Sequence, residues 1–271
     1  MRILAATTAA IVAVLLGTAS SALAAPSWAP ASSATIHPGV QGFTNGAQCT
    51  ANFVYYDASN VYLGQAAHCS STGSNTSTNG CDTQSLPLGT PVDVTGASKP
   101  GTLVYNSWIA MQNAGEKDAD TCAYNDLALI KIDPADAGKV NPSVPFWGGP
   151  TGLSGGTTAL GDKVLSYGNS ELRGGITQLS PKEGYSLGDA GNGWSHQVET
   201  ITPGIPGDSG SAFMDKSGKA LGILSTLELA PTPTSNGVGD LSRELNYAAS
   251  HGAAVTLANG TEAFRGPLLP L

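Results

Sequence analysis

Thr202-Pro203-Gly204-Ile205-Pro206-Gly207-Asp208-Ser209-Gly210-Ser211 is the stretch from which the rest of the chain is best read. A serine flanked by glycines sits on a tight turn, and that turn aims neighbouring backbone N–H groups, here those of Gly207 and Ser209, into one small space. A hydroxyl is a poor nucleophile until a base takes its proton. Gly-Asp-Ser-Gly alone also fits an ordinary surface turn, since all its residues favour turns. The stretch gains chemical meaning only if the chain also supplies a histidine as base and a carboxylate to orient it.

Four histidines are available. His68 stands apart because it follows the apolar pair Ala66-Ala67 and immediately precedes Cys69, which pins its backbone if oxidised. His37, His196 and His251 have polar, glycine or proline neighbours and read as surface residues. A lone histidine after apolar residues is more often a satisfied core residue than a base. Asp126, in Asn125-Asp126-Leu127-Ala128-Leu129-Ile130, heads an apolar run and falls at the edge of a core. Taken singly it reads as a turn residue. Together the three residue types form a set in which the carboxylate holds the imidazole in the tautomer that accepts the serine proton.

The 271 residues include 35 glycines and 17 prolines with only 12% charged side chains, which suits a turn-rich β protein. Met1-Arg2, an apolar stretch over 3–16 and the small residues ending in Ala22-Leu23-Ala24 have the layout of a secretory signal peptide at 1–24. The run is too short and interrupted for a spanning helix, so a secreted, extracellular product with no membrane segment after signal removal is expected. Residues 25–41 are then an N-terminal arm or a short propeptide. A net charge of −8 and the lack of any Lys/Arg block argue against nucleic acid as a partner. Cys49, Cys69, Cys81 and Cys122 predict two disulfides in an oxidising compartment, with three pairings open. Their spacing, with no C-x-x-C and no histidine pair, argues against a structural metal, and nothing calls for a cofactor.

Runs rich in Val, Ile, Tyr and Thr recur between Gly, Asn and Pro clusters and predict strands at 49–56, 60–63, 91–94, 102–109 and 126–132. In the last of these, Leu127, Leu129 and Lys131 share one face and Ala128, Ile130 and Ile132 the other. Residues 136–160, with Pro142, Pro145 and Pro150, read as an irregular linker. Further strands are predicted at 163–167, 175–179, 194–201, 211–214 and 220–227. One helix is predicted over 240–250, where Asp240 caps it, Leu241, Leu245 and Ala248 share a face and Gly252 stops it. Residues 70–80 form a solvated Ser/Thr/Asn loop, and Asn75 and Asn259 open N-x-S/T triplets that matter only in a glycosylating host.

Three segments carry a family likeness. Gly64-Gln65-Ala66-Ala67-His68-Cys69, Asn125-Asp126-Leu127-Ala128-Leu129-Ile130 and Gly207-Asp208-Ser209-Gly210, in that order, resemble the hallmark segments of trypsin-like (chymotrypsin-fold) serine peptidases of the secreted bacterial type. Gly222-Ile223-Leu224-Ser225 resembles the strand after the nucleophile, where a serine supports the triad aspartate. The resemblance implies an all-β fold of two antiparallel six-stranded β-barrels, at 42–135 and 161–271, with a C-terminal helix and the active site between them. It implies His68, Asp126 and Ser209 as catalytic residues, and Gly207 and Ser209 as the oxyanion hole. Pro203, Ser225, Thr226 and Leu227 would bind substrate. It also implies a Cys49–Cys69 bridge beside the histidine, and with it a Cys81–Cys122 pairing. A peptide or protein substrate, cut by a monomer, is expected.

Two departures from the family pattern matter. Animal members begin with an Ile-Val-Gly-Gly-like end that inserts and pairs with the aspartate before the nucleophile, and no such tetrapeptide precedes Cys49. Bacterial relatives do without it, so Asp208 needs another cation, for which Arg173 is the candidate. Gln65 stands where a small hydroxyl residue is common. Pro203, six before the nucleophile, would lie at the base of the primary pocket, and Leu227 would narrow it. Without a carboxylate there, selection for Arg or Lys loses its counter-charge and small or medium uncharged side chains are expected.

Two rivals remain. A catalytically silent binding protein on the same fold needs no working triad. An α/β-hydrolase would use Ser209, Asp240 and His251, but G-x-S-x-S lacks the final glycine of that elbow, and the chain lacks alternating helices and parallel strands.

Overall fold

Leu127, Leu129 and their alternating neighbours Ala128 and Ile130 are all buried, and the reason is architectural. One face of their strand packs inside its own sheet, against Val54, Leu63, Val92 and Leu103. The other packs against the second half of the molecule, with Tyr55, Leu165, Met214, Trp147 and Leu241. Full burial of each leucine or isoleucine side chain among them contributes roughly 1.5–3 kcal/mol. The computed structural model describes residues 25–74, 77–228, 232 and 234–268. The signal peptide expected at 1–24 and the triplet at Asn75 lie outside the described residues.

The first half contains β1 (Gln41–Thr44), β2 (Ala47–Thr50), β3 (Val54–Tyr56), β4 (Val61–Ala66), β5 (Pro91–Val94), β6 (Gly101–Asn106) and β7 (Leu127–Lys131). Two short helices, α1 (Ser107–Ala114) and α2 (Ala119–Tyr124), fill the β6–β7 connection. The second half contains β8 (Lys163–Tyr167), β9 (Pro181–Ala190), β10 (Ser195–Thr200), β11 (Ala212–Asp215), β12 (Ala220–Leu227) and β13 (Asn236–Asp240), then α3 (Leu241–Ser250) and β14 (Thr256–Leu257). Strands β8 to β13 close into a six-stranded antiparallel barrel in the order β10-β13-β12-β11-β8-β9. Its interior holds Val164, Val198, Phe213, Leu221, Leu224 and Val238.

The first half is one sheet of eight strands, β14-β3-β4-β7-β6-β5-β1-β2. It exceeds six because β2 adds at one edge and β14 arrives from the far end of the chain at the other. There Thr256 pairs with Tyr56 and Leu257 with Tyr55. The fold is thus mostly β with a C-terminal helix, as expected, and α3 begins at the cap provided by Asp240, whose Oδ1 accepts the Arg243 N–H at 2.9 Å.

Local expectations fail where tertiary partners decide. The strand expected over 102–109 stops at Asn106, whose side chain accepts the N–H groups of Trp108 and Ile109 and so starts α1. The strand expected at 175–179 is a short turn of 3₁₀ helix, Thr177–Leu179. β1, β9 and β13 were not expected: β9 and β13 carry too few apolar residues to show an alternation, and the barrel supplies their pairing. His196, expected at the surface, is fully buried. It lies between two carboxylates, with Nδ1 2.7 Å from Asp189 Oδ1 and Nε2 3.1 Å from Asp240 Oδ2, and this pairing lets a polar ring enter the interior.

Residues 25–40 are seated on the first half. Ile36 is fully buried in its core, the Ala29 N–H donates to the Val140 carbonyl at 2.9 Å, and the Trp28 ring meets Tyr56 edge-on. Within the irregular crossing at 136–160, Trp147 is buried between the halves and its Nε1 donates to the Ser166 carbonyl at 2.7 Å. Among the described residues no helix is long and apolar enough to cross a membrane.

Candidate active site

His68 sits on a single 3₁₀ turn, Ala67–Ser70, that leaves β4. The Cys49–Cys69 disulfide holds the turn, as does Asn106 Nδ2, which donates to the Ala67 carbonyl at 3.0 Å. The second disulfide joins Cys81 to Cys122, as the resemblance implied. Asp126 immediately precedes β7 and is nearly inaccessible. Its Oδ1 accepts the His68 backbone N–H at 2.9 Å. Its Oδ2 lies 2.7 Å from His68 Nδ1 and also accepts the Ser225 hydroxyl at 2.6 Å.

With the Nδ1–H donating a hydrogen bond to Asp126, the ring nitrogen Nε2 keeps its lone pair. Among the described residues Nε2 makes no hydrogen bond, including none to Ser209. Burial works against the imidazolium, but the charge and hydrogen bond of Asp126 outweigh it and hold the ring above the ordinary histidine value.

The loop before β11 is organised around Gly207, whose φ of +93° favours glycine. A Cβ there would also stand 2.2 Å from Gln48 Oε1. Gln48 Nε2 and Thr50 Oγ1 donate to the Gly207 carbonyl at 2.9 and 2.8 Å. Ser170 Oγ donates to the Pro206 carbonyl at 2.6 Å. In a trans peptide the N–H points opposite to the C=O, so this bond turns the Gly207 N–H away from Ser170. The Asp208 carbonyl accepts the Ser211 N–H at 3.0 Å, which fixes the Ser209 N–H in the same manner. Among the described residues neither the Gly207 nor the Ser209 N–H has a protein acceptor.

Asp208 is fully buried and receives two cations, Arg173 through Nη2 and Lys182 through Nζ at 3.1 Å. The backbone N–H groups of Ser170 and Ile205 add bonds of 3.0 and 3.2 Å. Arg173 is the cation expected from sequence, and Lys182 is a second one that sequence reasoning missed. Burial, reinforced by the Arg173 charge, pulls the Lys182 ammonium down to about 8 against the pull of Asp208.

His68 and Ser209 line the same cleft, of about 600 Å³. Ser225, Thr226 and Leu227 line it as well, with Gly204, Leu224, Asn236 and Trp108. Pro203 is not among the lining residues; its carbonyl accepts from Arg173 and Lys182 at 3.1 and 3.3 Å. Asn236 ties two walls together, accepting the Gly204 N–H at 2.8 Å and donating to the Thr226 carbonyl at 3.2 Å. Sequence offered no sign of this role. Cys49, His68 and Cys69 lie close together, but the two sulfurs share one disulfide and offer no thiolate to a metal.

A closed six-stranded antiparallel barrel packed against a second sheet, with a C-terminal helix, is the chymotrypsin-like fold. Solved structures that match it include bacterial serine proteases. Thermobifida fusca Protease A matches with a TM-score of 0.52 and 18% identity over 83% of this chain and 99% of that one. A glutamic acid specific serine protease, described as using a histidine triad in substrate binding, matches at 0.53 and 18% over 82% and 100%. Cellulomonas bogoriensis chymotrypsin matches at 0.50 and 14% over 82% and 98%. At these identities the likeness is one of fold. No family model matches the sequence, and no curated protein matches it either.

Proposed function

We propose that the chain is a secreted serine endopeptidase that cuts peptide bonds through His68, Asp126 and Ser209 by way of an acyl-enzyme. The observation that carries this is the Asp126 carboxylate, held by Ser225 and by the His68 N–H, facing Nδ1 of an imidazole that shares a cleft with Ser209. Substrate closes the gap between Nε2 and the Ser209 hydroxyl, a contact that is often long in free enzymes. His68 then takes the hydroxyl proton, the oxygen attacks the scissile carbonyl, and the free N–H groups of Gly207 and Ser209 receive the oxyanion. His68 returns the proton to the leaving amine, and water releases the acyl group by the same steps in reverse order.

Labelling with a sulfonyl fluoride followed by mass spectrometry tests the assignment: the adduct belongs on Ser209. An unlabelled, inert protein would instead be the silent binder on this fold. Asp126→Asn, which presents the wrong tautomer, should lower turnover by a factor on the order of 10⁴.

Cleavage after small or medium uncharged residues is supported by the cleft lining, which includes Leu227 and contains no carboxylate among the described residues. Digestion of a peptide library reads this out directly, and dominant cleavage after Arg or Lys would refute it.

A further inference from the structure

Glu244 lies outside the three hallmark segments, on α3, yet it reaches the centre of the site. Its side chain is fully buried. Oε1 accepts the backbone N–H of Asp126 at 3.0 Å, across 118 positions of sequence. That N–H lies at the start of β7 in the interior, where an unpaired donor is costly. Room for the carboxyl comes from Gly239: a Cβ there would stand 2.5 Å from Glu244 Oε1 and 3.3 Å from the Tyr124 carbonyl. The carboxyl is thus wedged between β13 and the turn that delivers Asp126. Its other oxygen, Oε2, has no partner among the described residues.

We propose that Glu244 is a positioning residue that fixes the Asp126 backbone through Oε1 and, through Asp126, sets the orientation and proton affinity of His68. The titratable groups facing it are Asp126 just before β7, Asp240 at the end of β13, Tyr55 from β3 and Tyr105 from β6. A carboxylate charge in the interior with other carboxylates near it is disfavoured. Burial first, then the charges of Asp126 and Asp240, push Glu244 well above the usual carboxylate range despite the Asp126 N–H. A protonated Glu244 would accept the Asp126 N–H without setting a second negative charge behind the Asp126–His68 pair. A glutamine offers the same acceptor, whereas a methionine of similar volume offers none.

The catalytic meaning of this proposal rests on the peptidase assignment, but its test does not. The His68 titration is followed by NMR in the wild-type chain and in Glu244→Met and Glu244→Gln, with kcat and KM on a peptide substrate measured alongside. Glu244→Met should move the His68 midpoint by about 0.5 pH unit or more and lower kcat about tenfold with little change in KM. Glu244→Gln should return both toward wild type. A folded Glu244→Met with an unmoved midpoint overturns the proposal, as does a Glu244→Gln midpoint displaced as far as that of Glu244→Met. If Glu244→Met does not fold, Glu244→Gln decides alone: an unmoved midpoint supports the neutral acceptor, and a fall of about 0.5 unit shows an ionised glutamate and refutes it. If Ser209 takes no label and no peptide is cut, the peptidase assignment fails while the His68 titration still settles the role of Glu244.

Discussion

His68 carries one proton under two opposed influences, the desolvation that disfavours it and the Asp126 carboxylate that favours it, and the carboxylate prevails. Since the neutral ring is the base, kcat/KM should climb with pH through a midpoint above the ordinary histidine value of 6.5. A pH profile with its midpoint below about 6 would mean that Asp126 does not face the ring in solution. At this scale the sequence is legible where chemistry constrains composition. Gly207 and Gly210 flank Ser209 because the turn demands them, and Asp126 heads an apolar run because it must be buried. Lys182, Asn236 and Glu244 leave no such trace. Each is a single polar residue whose burial depends on a partner far along the chain, Asp208, Gly204 and Asp126 respectively.

α1 lines the cleft through Trp108 and also holds the site through its first residues. Asn106 uses both ends of its amide: Oδ1 caps the helix and Nδ2 holds the Ala67 carbonyl beside His68. The next residue, Ser107, donates to the Asn125 carbonyl beside Asp126 at 2.8 Å. One helix start thereby tethers the turns that present the base and its carboxylate. Asn106→Ala removes a cap and strands a buried carbonyl, and should cost about 2 kcal/mol in urea unfolding as well as lowering kcat. Wild-type stability in that variant would show that α1 is anchored elsewhere. The strands most visible in sequence are β5, β7, β8 and β12, where apolar residues alternate or run between turn signals. β9 and β13 hide because glycines and charged residues break their pattern, and α1 hides because a capping asparagine follows a genuine strand without a gap.

For the whole molecule, the Asp189–His196–Asp240 clamp joins β9, β10 and β13 and reaches α3 through the Asp240 cap. Burial opposes the charged ring, but the bonds to Asp240 and Asp189 raise His196 above 6.5, and the same bonds hold both aspartates below 3.8 despite their own desolvation. The histidine contribution is complete below its unfolded value and fades as pH rises through the raised folded value. The aspartate contributions are present above about 3.8 and fade as pH falls through their lowered values. The clamp therefore stabilises most in mildly acidic solution. His196→Gln should lose more stability, relative to wild type, at about pH 5.5 than at about pH 8.5, and an equal loss at both would remove the clamp from the pH response. The two-lobed plan is legible because the hallmark segments divide between the halves; the edge pairing of β14 is not, since a two-residue strand carries no pattern. Residues that follow α3 complete the edge of the first half's sheet, with the Ala258 N–H bonding back to the Val54 carbonyl. The sheet of the first half therefore lacks one edge until residues 256–258 are in place, so that lobe cannot close on its own residues alone.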